Sequence, residues 1–131
     1  MSDTELRGIA AGRTQVQLHT HRHHIPAGDG ALARELDDNR AVLARMGVPS
    51  ATVDFCYPSG VWDRAMWPVL ERAGVRSATT CEPGAARSDS PRYALPRFLD
   101  SESVSQIEFE AWASGFMPWA REALGRGPRT R

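Results

Sequence analysis

The chain contains no lysine, no histidine after His24, and only two cysteines, Cys56 and Cys81. Each scarcity excludes something. Two thiols are too few for a disulfide framework, so the fold must rest on an apolar core. Both cysteines fall near expected strand ends and are read as buried free thiols. No apolar run approaches the ~20 residues that a membrane-spanning helix needs, so no membrane partner is expected. The 16 basic residues are all arginine; they balance 16 acidic ones and leave a formal net charge of zero. No global field therefore favours nucleic acid or an anionic surface. The segment Met1-Ser2-Asp3-Thr4-Glu5 is acidic and lacks the apolar stretch of a secretory signal. As written the chain is expected to be cytoplasmic, or a piece of something longer. What is present is ordinary: 131 residues, 41% hydrophobic and 24% charged, the composition of one globular domain with its own core.

Hydrophobic spacing predicts the elements. A short helix is expected over residues 4–11, with Leu6 and Ile9 on one face and Gly12 past its end. A strand follows over Gln15 to Thr20, then a loop at Gly28-Asp29-Gly30. Ala31 to Met46 is the clearest helix, with Leu32, Leu36, Leu43 and Met46 at helical spacing and Gly47 as its stop. Thr52 to Tyr57 reads as a second strand. Trp62 to Ala73 reads as a second long helix, with a true start near Ala65 that would put Pro68 in its first turn. Val75 to Thr80 is a third strand, residues 82–92 a polar loop, and Tyr93 to Phe98 a short strand at best. Ser103 or Ser105 caps a last helix to about Phe116, with Glu108 placed for a capping box behind Ser105. The alternation predicts an α/β fold of parallel βα units. Three or four such strands fit a fragment of a (β/α) barrel at least as well as a complete fold, since a barrel takes roughly 200–250 residues. One domain is expected over residues 1–120, followed by a basic, flexible tail over 121–131.

The chemistry concentrates at one place. All four histidines lie in the window His19-Thr20-His21-Arg22-His23-His24, directly behind the apolar run Val16-Gln17-Leu18. Imidazole is the commonest protein ligand for zinc-type metals. His19 and His23 share a face whether the segment is a strand (period 2) or helical (i, i+4). They also stand at the C-terminal end of a parallel strand, the edge where active sites of such folds collect. A lone histidine there would read as a solvated loop residue. This pair reads as two ligands of a divalent metal, most simply zinc, with a position left for water. Two ligands do not complete the sphere; Asp29, Asp54 and Asp63 are candidates for a third, without motif support.

Other features have plainer readings. Phe55-Cys56-Tyr57-Pro58-Ser59-Gly60 closes the second strand with a turn that can present backbone N–H groups to a developing oxyanion. Pro and Gly are also what any such turn uses. Arg97, in Leu95-Pro96-Arg97-Phe98, has the planar fork suited to a carboxylate or a polar substrate. Trp62, Trp67, Trp112 and Trp119 are expected in the core, Trp62 being the one placed to meet a ligand. The acidic run Glu35, Asp37, Asp38 reads as a solvated helix face.

Taken in order, these segments resemble the polysaccharide deacetylase family (carbohydrate esterase family 4, the chitooligosaccharide deacetylase homology domain). His19-Thr20-His21-Arg22-His23 matches the family's His-Ser/Thr-x-x-His motif at each fixed position. Phe55 to Gly60 matches its Phe-Arg-Pro-Pro-Tyr-Gly motif loosely, keeping Phe55, Pro58 and Gly60. Ser77 to Thr80 and Leu95 to Phe98 look like its later strands. The resemblance spans roughly residues 10–115 and implies part of a distorted (β/α) barrel. It implies metal-dependent hydrolysis of N- or O-acetyl groups on an acetylated polysaccharide or oligosaccharide. His19 and His23 would be the metal ligands, Thr20 would support their loop, and His21, Arg22 and His24 would lie behind them or on the surface. The Ser59 backbone N–H would serve the oxyanion, and Tyr57, Pro58, Trp62 and Arg97 would meet the substrate.

The chain also departs from the pattern. The family's first motif, Thr-Phe-Asp-Asp, supplies the base and an aspartate ligand, and nothing before His19 matches it. The third-motif arginine is Cys56, and the late-motif histidine is absent. The chain is therefore expected to be the C-terminal portion of a deacetylase. The alternatives are an inactive remnant and a non-enzymatic metal- or sugar-binding module. A partial barrel has unpaired strand edges, so self-association through them is expected.

Overall fold

The computed structural model describes residues 2–12, 14–48, 53–99 and 101–125. Its elements in chain order are α1 (Asp3–Ala10), α2 (Asp29–Arg45), β1 (Asp54–Cys56), α3 (Trp67–Arg72), β2 (Ser77–Thr79), α4 (Gln106–Ala113) and α5 (Phe116–Ala123). Single turns of 3-10 helix at Pro58–Gly60 and Arg64–Met66 lie between β1 and α3.

β1 and β2 pair in parallel, Asp54 opposite Ser77, Phe55 opposite Ala78 and Cys56 opposite Thr79. One parallel bridge extends the pair on each side, from Leu18 to Phe55 and from Leu95 to Thr79. Parallel order is as expected, but the strands are shorter than their apolar runs. Of Gln15 to Thr20, Leu18 alone forms a backbone bridge among the described residues. The Gln17 side chain takes the Asp54 N–H that a longer ladder would use. Val75 is spent closing α3, its N–H donating to the Leu70 carbonyl. Thr52, the expected start of the second strand, lies outside the described residues, as do residues 126–131 of the expected tail.

α2 buries Leu32, Leu36 and Leu43 and stops at Gly47, whose φ of 81° suits glycine alone. It begins at Asp29 rather than Ala31, so the expected Gly28-Asp29-Gly30 loop is mostly helix. α3 starts at Trp67 with Pro68 in its first turn, where the missing N–H costs nothing. The residues before it wind into a 3-10 turn capped by Asp63, which accepts from the Ala65 N–H at 2.7 Å. Ser105 caps α4 by accepting from the Glu108 N–H. The expected helix to about Phe116 stops at Ala113, and after Gly115, at φ 81°, an unexpected helix α5 follows, so residues 121–123 of the expected flexible tail are helical. Trp112 packs on Phe98. Trp119 is 64% exposed, which corrects its expected place in the core.

Leu18, Leu36, Phe55, Leu70 and Ala78 meet in one cluster between the sheet and α2 and α3. Each leucine or phenylalanine buried there contributes about 1.5–3 kcal/mol. Two tyrosines stitch the far side: Tyr57 Oη donates to the Tyr93 carbonyl and Tyr93 Oη to the Val75 carbonyl, each at 2.9 Å.

Candidate functional site

Leu18, β1, β2 and Leu95 all run the same way, so the segments that follow them emerge at one edge. His19 to His24, the Pro58–Gly60 turn, Cys81 and Arg97 come together there. His19 Nδ1 lies 2.7 Å from the Cys56 carbonyl. A carbonyl only accepts, so Nδ1 carries the proton and the lone pair is left on Nε2. That is the arrangement in which a histidine ligand is oriented for metal. The His23 ring stands edge-on to it, with centroids 4.9 Å apart. The two imidazoles are therefore in contact, although the segment is neither the strand nor the helix that their spacing suits.

The loop that carries them is strained. Thr20 and His23 adopt left-handed φ values of 60° and 55°, which cost of order 1–3 kcal/mol each in a non-glycine residue. Thr20 is buried, and its hydroxyl has no hydrogen-bond partner among the described residues. What holds the loop is α2. Asn39 Oδ1 accepts from the His19 N–H at 3.0 Å. Glu35 accepts from the His21 N–H at 3.0 Å and the Arg22 N–H at 2.8 Å, and pairs with the Arg22 guanidinium.

Glu35 is only 4% exposed, so the expected solvated acidic face is corrected at this position, whereas Asp37 and Asp38 are exposed. Burial pushes its carboxyl up, but the bonds from Arg22 and His21 outweigh that and hold it below the ordinary range. Reading the acidic run as one face hid this residue. The available signal was that Glu35 adjoins Leu36 on the buried stripe and shares a side with Asn39.

The strand-closing turn keeps its Ser59 at φ 55° and ψ 16°. The N–H groups of Gly60 and Val61 close the turn on Tyr57 and Pro58. Among the described residues nothing takes up the N–H of Ser59, which is exposed at this edge. Gly60 packs directly against Cys81; a Cβ there would fall 2.6 Å from the Cys81 Cβ. Tyr57 and Pro58 are fully buried and face the core, so their side chains shape the turn rather than line the edge. Trp62 is half-buried, stacked on Trp67 at 6.2 Å and tethered by Nε1 to Glu82 at 3.3 Å.

Arg97 Nη2 lies 3.3 Å from Cys81 Sγ. Both cysteines are free and half-buried. The Cys81 thiol raises the Arg97 guanidinium further, against the opposing effect of burial, and Cys56 adds to it. The Arg97 Nε is buried without a partner among the described residues.

None of the three candidate aspartates joins the histidines. Asp29 pairs with Arg72, Asp54 with Arg76 and Ser77, and Asp63 caps its own turn. Among the described residues no three His, Cys, Asp or Glu side chains are grouped to hold a metal. The donor set thus fits at most half of a zinc site: two neighbouring imidazoles, of which His19 has an orienting hydrogen bond. A shallow cleft of about 280 Å³ between Trp67, Glu71 and Tyr93 contains none of these groups. Among the described residues no helix is long and apolar enough to cross a membrane.

Neither a protein-family model nor a curated protein matches the chain by sequence. Solved structures do match. The Streptococcus pyogenes deacetylase PplD in complex with acetate superposes with a TM-score of 0.73 at 18% identity, covering 84% of this chain and 49% of that one. IcaB from Ammonifex degensii gives a TM-score of 0.70 at 23% identity, covering 86% of this chain and 52% of that one. The chain spans about half the length of the solved structures it matches. Over most of its own length, this chain has the fold of about half of each of these two structures.

Proposed function

We propose that the chain is the C-terminal portion of a metal-dependent polysaccharide deacetylase, which removes N- or O-acetyl groups from an acetylated carbohydrate. The observation that carries this reading is His19, whose Nδ1 proton is committed to the Cys56 carbonyl. Its Nε2 lone pair is thereby left toward the edge it shares with His23, in a chain whose fold is that of about half of a deacetylase. In full the fold would be a distorted (β/α) barrel, of which the four parallel segments are one part.

His19 and His23 would hold the metal, zinc by the chemistry of two imidazoles. When bound, a divalent metal polarises the acetyl carbonyl and lowers the pKa of a water toward ~7. The chain's own residues supply the rest of what it contributes. The Ser59 N–H donates to the oxyanion as the carbonyl carbon becomes tetrahedral; loss of such a donor typically costs about 10²–10³ in rate. Trp62 offers an aromatic surface to a sugar ring, and Arg97 its half-buried guanidinium to a substrate oxygen. Thr20 fills the space under the histidine loop. The third protein ligand and the base that takes the water's proton would come from the half of the deacetylase fold that this chain does not span.

Acetate release from acetylated chitooligosaccharides, assayed with added zinc on a fusion that supplies the half of the deacetylase fold this chain does not span, tests the reading. Zinc-dependent release that His23→Ala abolishes supports it. One observation favours a second reading, binding without turnover: no third ligand joins the histidines among the described residues. Zinc bound with no acetate released would select that reading.

A further inference from the structure

A carboxylate does not bury itself without donors to receive it. Glu35 is 4% exposed, and the donors it has found all belong to the histidine loop. Its Oε2 accepts the backbone N–H groups of His21 and Arg22 at 3.0 and 2.8 Å, and its Oε1 takes the Arg22 guanidinium. One helical turn on, at i+4 and hence on the same side of α2, Asn39 Oδ1 takes the His19 N–H at 3.0 Å. Three backbone donors between His19 and Arg22 are thus fixed from one helix. They lie in the stretch where Thr20 and His23 adopt left-handed backbone. The Arg22 guanidinium is itself 57% exposed but meets the buried Glu35 carboxylate, so it adds a third donor from the same loop to the two backbone N–H groups.

We propose that Glu35 and Asn39 are positioning residues. They hold the His19–His23 loop in the conformation that brings the two imidazoles together. The proposal rests on the reading of that pair as a metal site, and it assigns α2 a part in the site that the histidine motif does not contain. A network that orients ligands in this way typically changes metal affinity about 10–100-fold when broken.

The test uses the full chain carrying Glu35→Ala, Glu35→Gln or Asn39→Ala, with Leu43→Ala as a control that destabilises the core away from the loop. Zinc affinity is measured by competition with a chromogenic chelator, and backbone order by amide hydrogen exchange of the metal-free protein. Glu35→Ala is expected to weaken zinc about tenfold or more and to speed exchange at His21 and Arg22. Glu35→Gln, which keeps an acceptor oxygen, recovers much of the affinity. Asn39→Ala weakens zinc and frees the His19 amide, and it carries the test alone if Glu35→Ala does not fold. Leu43→Ala lowers the unfolding midpoint without moving the zinc affinity of the folded protein.

Zinc affinities of folded Glu35→Ala and Asn39→Ala both within about twofold of the unsubstituted chain would overturn the proposal, Asn39→Ala deciding alone if Glu35→Ala does not fold. If the unsubstituted chain binds no zinc, the metal reading fails. The clamp is then judged by exchange alone, and unchanged protection at His19, His21 and Arg22 in the variants would overturn it.

Discussion

Gly60→Ala probes the contact on which the candidate edge is built. Gly60 sits at φ 67°, and an added Cβ would lie 2.6 Å from the Cys81 Cβ, 2.8 Å from its Sγ and 3.2 Å from its backbone nitrogen. Two costs arise. A left-handed backbone in alanine costs about 1–2 kcal/mol. Forcing the turn away from Cys81 costs about 1–3 kcal/mol as overpacking. Together they remove about 2–5 kcal/mol from a stability that for a small domain is about 5–15 kcal/mol. The costs separate because only one involves Cys81. In a Cys81→Gly background the obstructing Cβ and Sγ are gone, and Gly60→Ala then carries the backbone cost and only the 3.2 Å contact with the residue 81 nitrogen. The double-mutant cycle is therefore expected to show a coupling of about 1–3 kcal/mol. Urea unfolding followed by tryptophan fluorescence measures each corner, with stabilities taken by linear extrapolation. Equal costs of Gly60→Ala in the two backgrounds would refute the packing of this turn on Cys81.

Two further predictions concern what holds the chain together. Glu35 and Asp54 both keep their carboxyls below the ordinary range, Asp54 because the Arg76 guanidinium and the Ser77 hydroxyl outweigh burial. A group with a depressed folded pKa takes up its proton more readily when the chain unfolds. Its stabilisation is complete above the unfolded value of about 4 and is lost as pH falls through the folded value. Urea midpoints are thus expected to fall on acidification below about pH 5, and Glu35→Gln with Asp54→Asn is expected to flatten that fall; a midpoint that held or rose in acid would contradict this. Tyr57→Phe strands the buried Tyr93 carbonyl and is expected to cost about 1–3 kcal/mol in urea unfolding. Unlike His19→Ala, it leaves zinc affinity unchanged, because the Tyr57 side chain faces the core.

The histidine pair was legible as a cluster behind an apolar run, although the strand or helix that its spacing suits does not form: the segment is an irregular loop with Thr20 and His23 in left-handed backbone. The direction of the helices and the parallel order of the strands were legible because apolar period and glycine stops are local signals, as at Gly47. Strand length was not, because an apolar run does not say where its N–H groups will go. Gln17 diverts one to a side chain and Val75 diverts another to a helix end. The helix over Phe116–Ala123 was not legible, because Gly115 and Pro118 interrupt the helical pattern on either side of its start. Glu35 was hidden by its neighbours. A run of acidic residues suggests one solvated face, but on a helix successive residues point in different directions, and this one points at the loop. The third ligand was legible only as something missing, and among the described residues it remains so.

The central claim is that His19 and His23, and neither of the other histidines, bind metal. Equilibrium dialysis of zinc against the unsubstituted chain and the four single His→Ala variants tests it most directly. The account predicts about one zinc per chain, lost in His19→Ala and His23→Ala and retained in His21→Ala and His24→Ala. No stoichiometric zinc in the unsubstituted chain, or an equal loss in all four variants, would contradict it.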